Sequence, residues 1–256
     1  MLEKNISKLE GMYTGKMKLV AHDVDYNNKW KISSFLSNIQ EVAGFNCNDY
    51  GCGWSVLKDK YNVCFVLTRM KVKFHFYPGS GDKVELSTWP GPKPRLVFPR
   101  YFTAKTEDGN QIAEAVSQWV LMDMTARTVK KPADCPFETP DTSHIPVPFE
   151  IERADFNFEA DNKVERNPTY SDLDYNGHVN NARYAEWIMD LFADKLLQGM
   201  ETAEIDIKYE QEIRFGNKVL LDYKYNEDGS FFVKGYSEDN KVYFRAKGIF
   251  REGVNK

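Results

Sequence analysis

Asp23, Asp25, Tyr26 and Asn27 return without a gap as Asp172, Asp174, Tyr175 and Asn176, a constant offset of 149 residues from position 23 to position 172. A chain of 256 residues that carries one string twice is built from two copies of one unit, so its fold has to work twice. In the first copy an extended segment near Tyr13 to Ala21 leads into a helix whose apolar face is Ile32, Phe35, Leu36, Ile39 and Ala43. In the second copy Asn180 and Asn181 are capping residues ahead of a helix faced by Tyr184, Trp187, Ile188, Leu191 and Phe192.

A run of strands follows each helix. The expected ranges are 63–77, 83–89, 96–106 and 111–124, then 204–215, 219–225, 231–236 and 242–251, with turns such as PGSGD, EDGN, FGNK and NEDG between them. Pro132, Pro136, Pro140, Pro146 and Pro148 crowd the stretch between the copies and disfavour a regular helix or central strand there. The expected division is a first unit at 1–131, a proline-rich linker at 132–164 and a second unit at 165–256. Strand, long helix and antiparallel meander, repeated, make an α+β protein.

Composition narrows the function classes. With 42% hydrophobic and 14% aromatic residues the chain can bury one large core or two ordinary ones. A net charge of −4 and a pI near 5.7 argue against general nucleic-acid binding. The stretch MLEKNISKLEGMYTGKMKL lacks the apolar core of a signal peptide, and no run approaches the roughly 18 apolar residues of a membrane span. Cys47, Cys52, Cys64 and Cys135 are too few for a disulfide scaffold and have no zinc-type pairing. Free thiols in a reducing cytoplasm are the expectation.

The densest chemistry lies between Thr169 and Asp190. Asp174, Asn176 and His178 recur at every second position, so an extended backbone would turn a carboxylate, an amide and an imidazole to one side. The plainest rival is a turn and helix cap, for which Asp, Asn and Gly are the usual residues. A calcium loop is another rival, since Asp172, Asp174, Asn176 and Gly177 match its opening, but Arg183 stands where the bidentate glutamate belongs. Asn167 and Pro168 also interrupt any preceding helix.

The string DLDYNGHVNNARYAEWIMD resembles the signature of the acyl-acyl carrier protein thioesterases, which runs D-L-D-x-N-x-H-V-N-N-x-x-Y. Ile207, Tyr209 and Glu212 supply a second family feature, I/L-x-Y-x-x-E, expected on the strand after the helix. VLTRMKVKFHFYPGSGDKVELSTW resembles the family's first half, so the similarity covers nearly the whole chain. The resemblance implies a tandem (double) hotdog, two antiparallel sheets each wrapping a long helix. It also implies hydrolysis of fatty acyl-acyl carrier protein to free fatty acid, with Asp174, Asn176, His178 and Glu212 as the catalytic residues and no metal or organic cofactor.

In this reading His178 relays a proton, Glu212 activates water or polarises the imidazole, and Asn176 holds the carbonyl or the water. Asp174 either supports His178 or attacks as a nucleophile, and backbone N–H groups of Gly177 to Val179 are the expected oxyanion donors. Lys29 and Tyr77 occupy the positions of His178 and Glu212 in the first copy, which is therefore expected to shape an acyl pocket rather than to catalyse. Phe45, Trp54, Phe65, Phe74, Trp89 and Trp119 are candidates to line it. Ile213 stands where some plant members carry a cysteine, a departure that disfavours a thiol nucleophile.

The implied partner is acyl carrier protein with its phosphopantetheine-linked acyl chain, an acidic protein that needs a basic landing surface. Lys93, Arg95 and Arg100 form one expected cluster, and Arg127, Lys130 and Lys131 another. A homodimer is compatible with the sequence. The rival functions are an acyl-CoA thioesterase of the same fold, a double-hotdog hydratase, and a non-catalytic acyl-binding module.

Overall fold

The computed structural model describes residues 3–5, 10–92, 96–131 and 134–253. The first unit contains β1 (Glu3–Asn5), β2 (Tyr13–Lys18), α1 (Ile32–Asp49), α2 (Trp54–Tyr61), β3 (Val63–Phe74), β4 (Lys83–Pro90), β5 (Phe98–Thr106), β6 (Gln111–Asp123) and the short β7 (Val129–Lys130). The second contains β8 (Asn162–Arg166), α3 (Asn181–Asp190), α4 (Ala193–Leu197), β9 (Met200–Tyr209), β10 (Val219–Tyr225), β11 (Ser230–Tyr236) and β12 (Val242–Glu252). The described strands form one sheet in the order β1-β2-β4-β5-β6-β3-β9-β12-β11-β10-β8, with β7 on β6.

The two halves of that order mirror one another, and each half wraps its own helix in the tandem hotdog that the resemblance implied. On α1 the buried face is Ile32, Phe35, Leu36, Ile39, Val42 and Ala43, and on α3 it is Ala182, Tyr184, Ala185, Trp187 and Ile188. Both faces join a single apolar core with Phe102, Ile112, Phe231 and Phe244 from the strands. The halves meet where β3 pairs antiparallel with β9, and there Arg69 makes a two-pronged contact with Asp206, Nε to Oδ1 at 2.9 Å and Nη2 to Oδ2 at 2.6 Å. No helix among the described residues is long and apolar enough to cross a membrane.

The repeat extends further than the matching letters. Adding 149 to the bounds of β2 gives 162–167, which is where β8 lies, and adding it to the turn Ala21–Asp23 gives the turn Tyr170–Asp172. The opening strand of the second unit thus begins at Asn162, inside the stretch read as linker. Its residues NKVER are mostly exposed at the sheet edge, so no apolar alternation marks them.

The stretch between the units is also less loose than its prolines imply. Ile145 is buried against Trp89, Tyr101 and Val116, and the Thr142 hydroxyl donates to the Pro90 carbonyl at 2.5 Å, so the segment straps the outer face of the first half. Trp89 lies under this strap. The second helix stops sooner than its apolar face suggests, because Phe192 leaves the helix to pack against Phe231 and Phe250.

Candidate active site

The motif residues sit on a tight turn, not on an extended strand. Asp174 N donates to His178 O at 2.7 Å, Gly177 N donates to Asp174 O at 3.0 Å, and Gly177 has a φ of 76°, which glycine adopts without steric cost. The Asp174 carboxylate holds the turn, its Oδ1 accepting from Asn176 N at 2.8 Å and from His178 N at 3.2 Å. Asp25 does the same in the first unit, accepting from Asn27 N at 2.9 Å and Lys29 N at 3.0 Å. The plain turn reading therefore describes this loop correctly in both copies, whatever chemistry is added to it in one.

Two elements anchor the turn. Asn180 caps α3 by accepting from Ala182 N at 2.9 Å. Val179 N donates to Ile213 O at 2.8 Å, just as Trp30 N donates to Pro78 O at 2.9 Å in the first unit. The expected oxyanion donors are consequently engaged, since Gly177 N, His178 N and Val179 N all have protein acceptors. Asp172 does not join Asp174 and Asn176; it is buried, accepts from Thr169 N at 2.7 Å and receives the Trp187 indole at 3.3 Å. Burial opposes its ionisation, but the Thr169 and Trp187 bonds hold its carboxyl below the ordinary value.

Glu212 is not on a strand. β9 ends at Tyr209, and Glu210 N and Gln211 N both turn to Tyr243 O, which carries the chain off the sheet and under the motif loop. The apolar residues Ile207 and Ile213 imitate a continued strand in sequence. This path brings Glu212 Oε2 to 3.3 Å from His178 Nε2. The alignment is not that of a hydrogen bond, and the buried Nε2 has no hydrogen-bond partner among the described residues.

Two arginines share the same carboxylate oxygen, Arg127 Nη2 at 3.0 Å and Arg214 Nη2 at 3.4 Å. Burial pushes the Glu212 carboxyl up, but the Arg127 hydrogen bond, with the charges of His178 and Arg127 and the Arg214 bond behind it, brings it below its ordinary value. The equivalent side chains in the first unit are spent on structure. Lys29 Nζ bridges to Glu201 at 2.9 Å, and the Tyr77 hydroxyl donates to Thr202 O at 2.8 Å.

Asp174, Tyr175 and Asn176 open onto a cavity of about 580 Å³ walled mainly by the first unit, including α1, Trp54, Phe65, Phe98 and Trp119. Of the aromatics expected to line it, Trp54, Phe65 and Trp119 do; Phe45 and Phe74 pack with the core and Trp89 under the strap. Cys47 and Cys52 also line it, a proximity that sequence distance from the motif concealed. A hydrogen bond from Cys52 and the Arg100 guanidinium, with Nη2 at 3.3 Å from Sγ, bring the Cys47 thiol down to about 6 against the effect of burial.

Three residues of the expected basic clusters have intramolecular partners. Arg100 points into the cavity, donating to Asn46 Oδ1 at 2.7 Å, so it is no surface landing point. Lys93 and Arg95 lie outside the described residues. Arg127 is turned to Glu212, and Lys130 to Asp123 at 3.0 Å.

Residues 10–135 match the profile of the acyl-ACP thioesterase N-terminal domain, and residues 157–250 match that of the C-terminal domain. The chain belongs to the acyl-ACP thioesterase family. Among curated members, the chloroplastic palmitoyl-acyl carrier protein thioesterase of Gossypium hirsutum is 25% identical over 214 residues, which is 78% of this chain and 52% of that one. The chloroplastic oleoyl-acyl carrier protein thioesterase 1 of Arabidopsis thaliana is 26% identical, with coverage of 78% and 60%. The chain thus spans only part, about half to three fifths, of these relatives' length. Among solved structures, an acyl-ACP thioesterase from Bacteroides thetaiotaomicron is 26% identical with a TM-score of 0.82, covering 96% of this chain and 100% of its own. The 12:0-ACP thioesterase from Umbellularia californica shares the fold with a TM-score of 0.78 at 19% identity, covering 96% and 99%.

Proposed function

We propose that this acyl-ACP thioesterase family member hydrolyses the thioester of fatty acyl-acyl carrier protein and releases free fatty acid. One observation carries the reading. His178, on the motif turn, meets the Glu212 carboxylate at 3.3 Å directly behind Asp174 and Asn176, which line a cavity of about 580 Å³ with aromatic walls, although His178 and Glu212 do not line it themselves. That volume lies within the range of pockets that enclose a single small ligand.

In the proposed reaction the acyl chain lies among the first unit's aromatics and the thioester stops at the motif turn. His178 takes a proton from water and returns it to the departing thiolate, while Glu212 stabilises the imidazolium as it forms. Asn176, exposed and bonded only weakly to Asp174 Oδ2 at 3.4 Å, is free to re-aim its amide at the carbonyl or the water. Asp174 is assigned the task of holding His178 and Asn176 on one turn, because Asp25 makes the same bonds beside a lysine. Water activation is preferred to aspartyl attack on this ground.

The test presents one acyl series on acyl carrier protein and on CoA and measures free acid released. Release from the carrier protein, lost in His178→Ala, is expected. A preference for CoA would remove the carrier-protein assignment, and binding without release from either donor would leave an acyl-binding module.

A further inference from the structure

We propose that Arg127, reaching over from the first unit, is a positioning residue for the reaction: it fixes the Glu212 carboxylate by its Oε2 and so keeps that group turned to His178. The inference rests on the thioesterase reading above and assigns a residue to it that neither motif contains. Arg127 lies on the turn between β6 and β7, 85 residues before Glu212, so no local pattern connects them.

The turn is firmly braced. Arg127 N donates to Asp123 O at 2.9 Å, Asp123 N donates to Thr128 O at 2.9 Å, and the Asp123 carboxylate accepts from Thr125 N and Ala126 N at 3.0 and 2.9 Å. Met124 N is tied to Asn62 O at 3.0 Å, which fastens the turn to the end of α2. Arg127 itself has a φ of 56°, a left-handed conformation that glycine or asparagine adopts at lower cost. An arginine in that place needs a reason in its side chain, and the side chain's partner is Glu212 Oε2 at 3.0 Å.

Among the described residues, the hydrogen bonds and ion-pair approaches of the Glu212 carboxylate fall on one oxygen. Arg127, Arg214 and His178 each approach Oε2, at 3.0, 3.4 and 3.3 Å, and Oε1 has no partner among the described residues. One oxygen is held, and the other remains available to a water molecule. The further groups that sense this site are the Cys64 thiol on β3 and the Tyr184 hydroxyl on α3; burial pushes both up and the Glu212 charge adds to it, while the Arg127 charge opposes the rise at Cys64. Asp174 acts on Tyr184 in the same direction as Glu212. Neither Cys64 nor Tyr184 is charged at neutral pH, so the permanent charges beside Glu212 are the two guanidinium groups, Arg127 first.

The experiment compares Arg127→Gln and Arg127→Lys with the parent protein. With saturating acyl-carrier substrate, Arg127→Gln is expected to lower kcat about five-fold, the rate equivalent of one partly exposed ion pair, and to leave KM unchanged. The acid limb of the kcat profile should move to higher pH, because the hydrogen bond that favours the carboxylate is gone. Arg127→Lys, which restores charge but not the planar fork, should recover part of both effects.

Independently of turnover, the ¹³C-labelled Glu212 carboxyl should titrate at higher pH in Arg127→Gln than in the parent. A raised KM with kcat and acid limb unmoved would make Arg127 a substrate contact and overturn the proposal. So would an unchanged Glu212 titration in a protein that circular dichroism shows to be folded. If the parent hydrolyses no thioester, the functional reading fails by itself, and the titration still decides whether Arg127 controls Glu212.

Discussion

Asp25 and Asp174, 149 residues apart, each hold a turn by accepting two backbone N–H groups on Oδ1. One turn presents Lys29, locked to Glu201, and the other presents His178 beside Glu212. The protein thus contains a control for its own site. Asp25→Ala and Asp174→Ala should each cost about 1 to 3 kcal/mol, since each strips two hydrogen bonds from a turn. Only Asp174→Ala should also slow single-turnover hydrolysis. Equal loss of rate in both, at equal stability, would refute the division of labour between the halves.

His178→Ala should fold and lose roughly 10²- to 10⁴-fold in turnover, the span associated with a lost general acid–base group. The comparison variant is Lys29→Ala, which should leave the chemical step intact even where it lowers thermal stability. Single-turnover rates and melting curves, measured on both variants, separate the two effects.

Glu212→Gln keeps the size of the side chain and removes its charge, so it should reduce the chemical step more than the affinity for acyl-carrier substrate. It has a stability signature as well. The folded Glu212 carboxyl lies below its ordinary value, so its contribution is present above the unfolded pKa and lost as pH falls through the folded one. The parent should therefore lose stability more steeply than Glu212→Gln on the acid side of the ordinary carboxylate range. Parallel curves of stability against pH would contradict this.

Cys47 lies on the cavity wall, its thiol pulled below the ordinary value by the Cys52 hydrogen bond and the Arg100 guanidinium, so it should be the first of the cysteines to be modified. A maleimide with a long alkyl tail should abolish activity by filling the cavity, and Cys47→Ser should resist it. A protein with all four cysteines replaced should keep its chemical step. Loss of that step in a folded cysteine-free protein would demand a thiol nucleophile.

Arg69 and Asp206 are 13% and 1% exposed in their side chains, so Arg69→Met leaves a buried carboxylate without its cation. The expected loss is about 3 to 5 kcal/mol, read from the denaturant midpoint. A loss below about 1 kcal/mol would show the pair to be no more than a surface bridge.

The duplicated unit was legible because a gapless offset and two apolar helix faces fix the order of elements. What escaped were features whose causes lie far apart in the chain. β8 is marked by its ladder to β10, not by apolar alternation in Asn162 to Arg166. The family feature Ile207, Tyr209 and Glu212 implies a strand through Glu212, whereas the chain leaves the sheet after Tyr209 and Ile213 is buried beneath the motif turn. In sequence Arg127 reads as one of a cluster of three cations with Lys130 and Lys131, and only the fold shows that its partner is Glu212, 85 residues on. Asp174, Asn176 and His178 were recognised as a set, but their spacing could not reveal that a turn, not a strand, joins them.

The antiparallel seam from Arg69 opposite Lys208 to Lys73 opposite Glu204 makes the two units halves of one sheet. A cavity walled by one half and capped by a turn of the other then has no hinge along that line, because opening it would break ladder hydrogen bonds and the buried Arg69–Asp206 pair together. Under the proposed function, an acyl chain would enter by small local excursions at the rim, where the Trp54 and Tyr175 rings meet edge to face at 5.8 Å. The sheet is one continuous cradle, and the contact of these two rings joins its two halves at the cavity's edge.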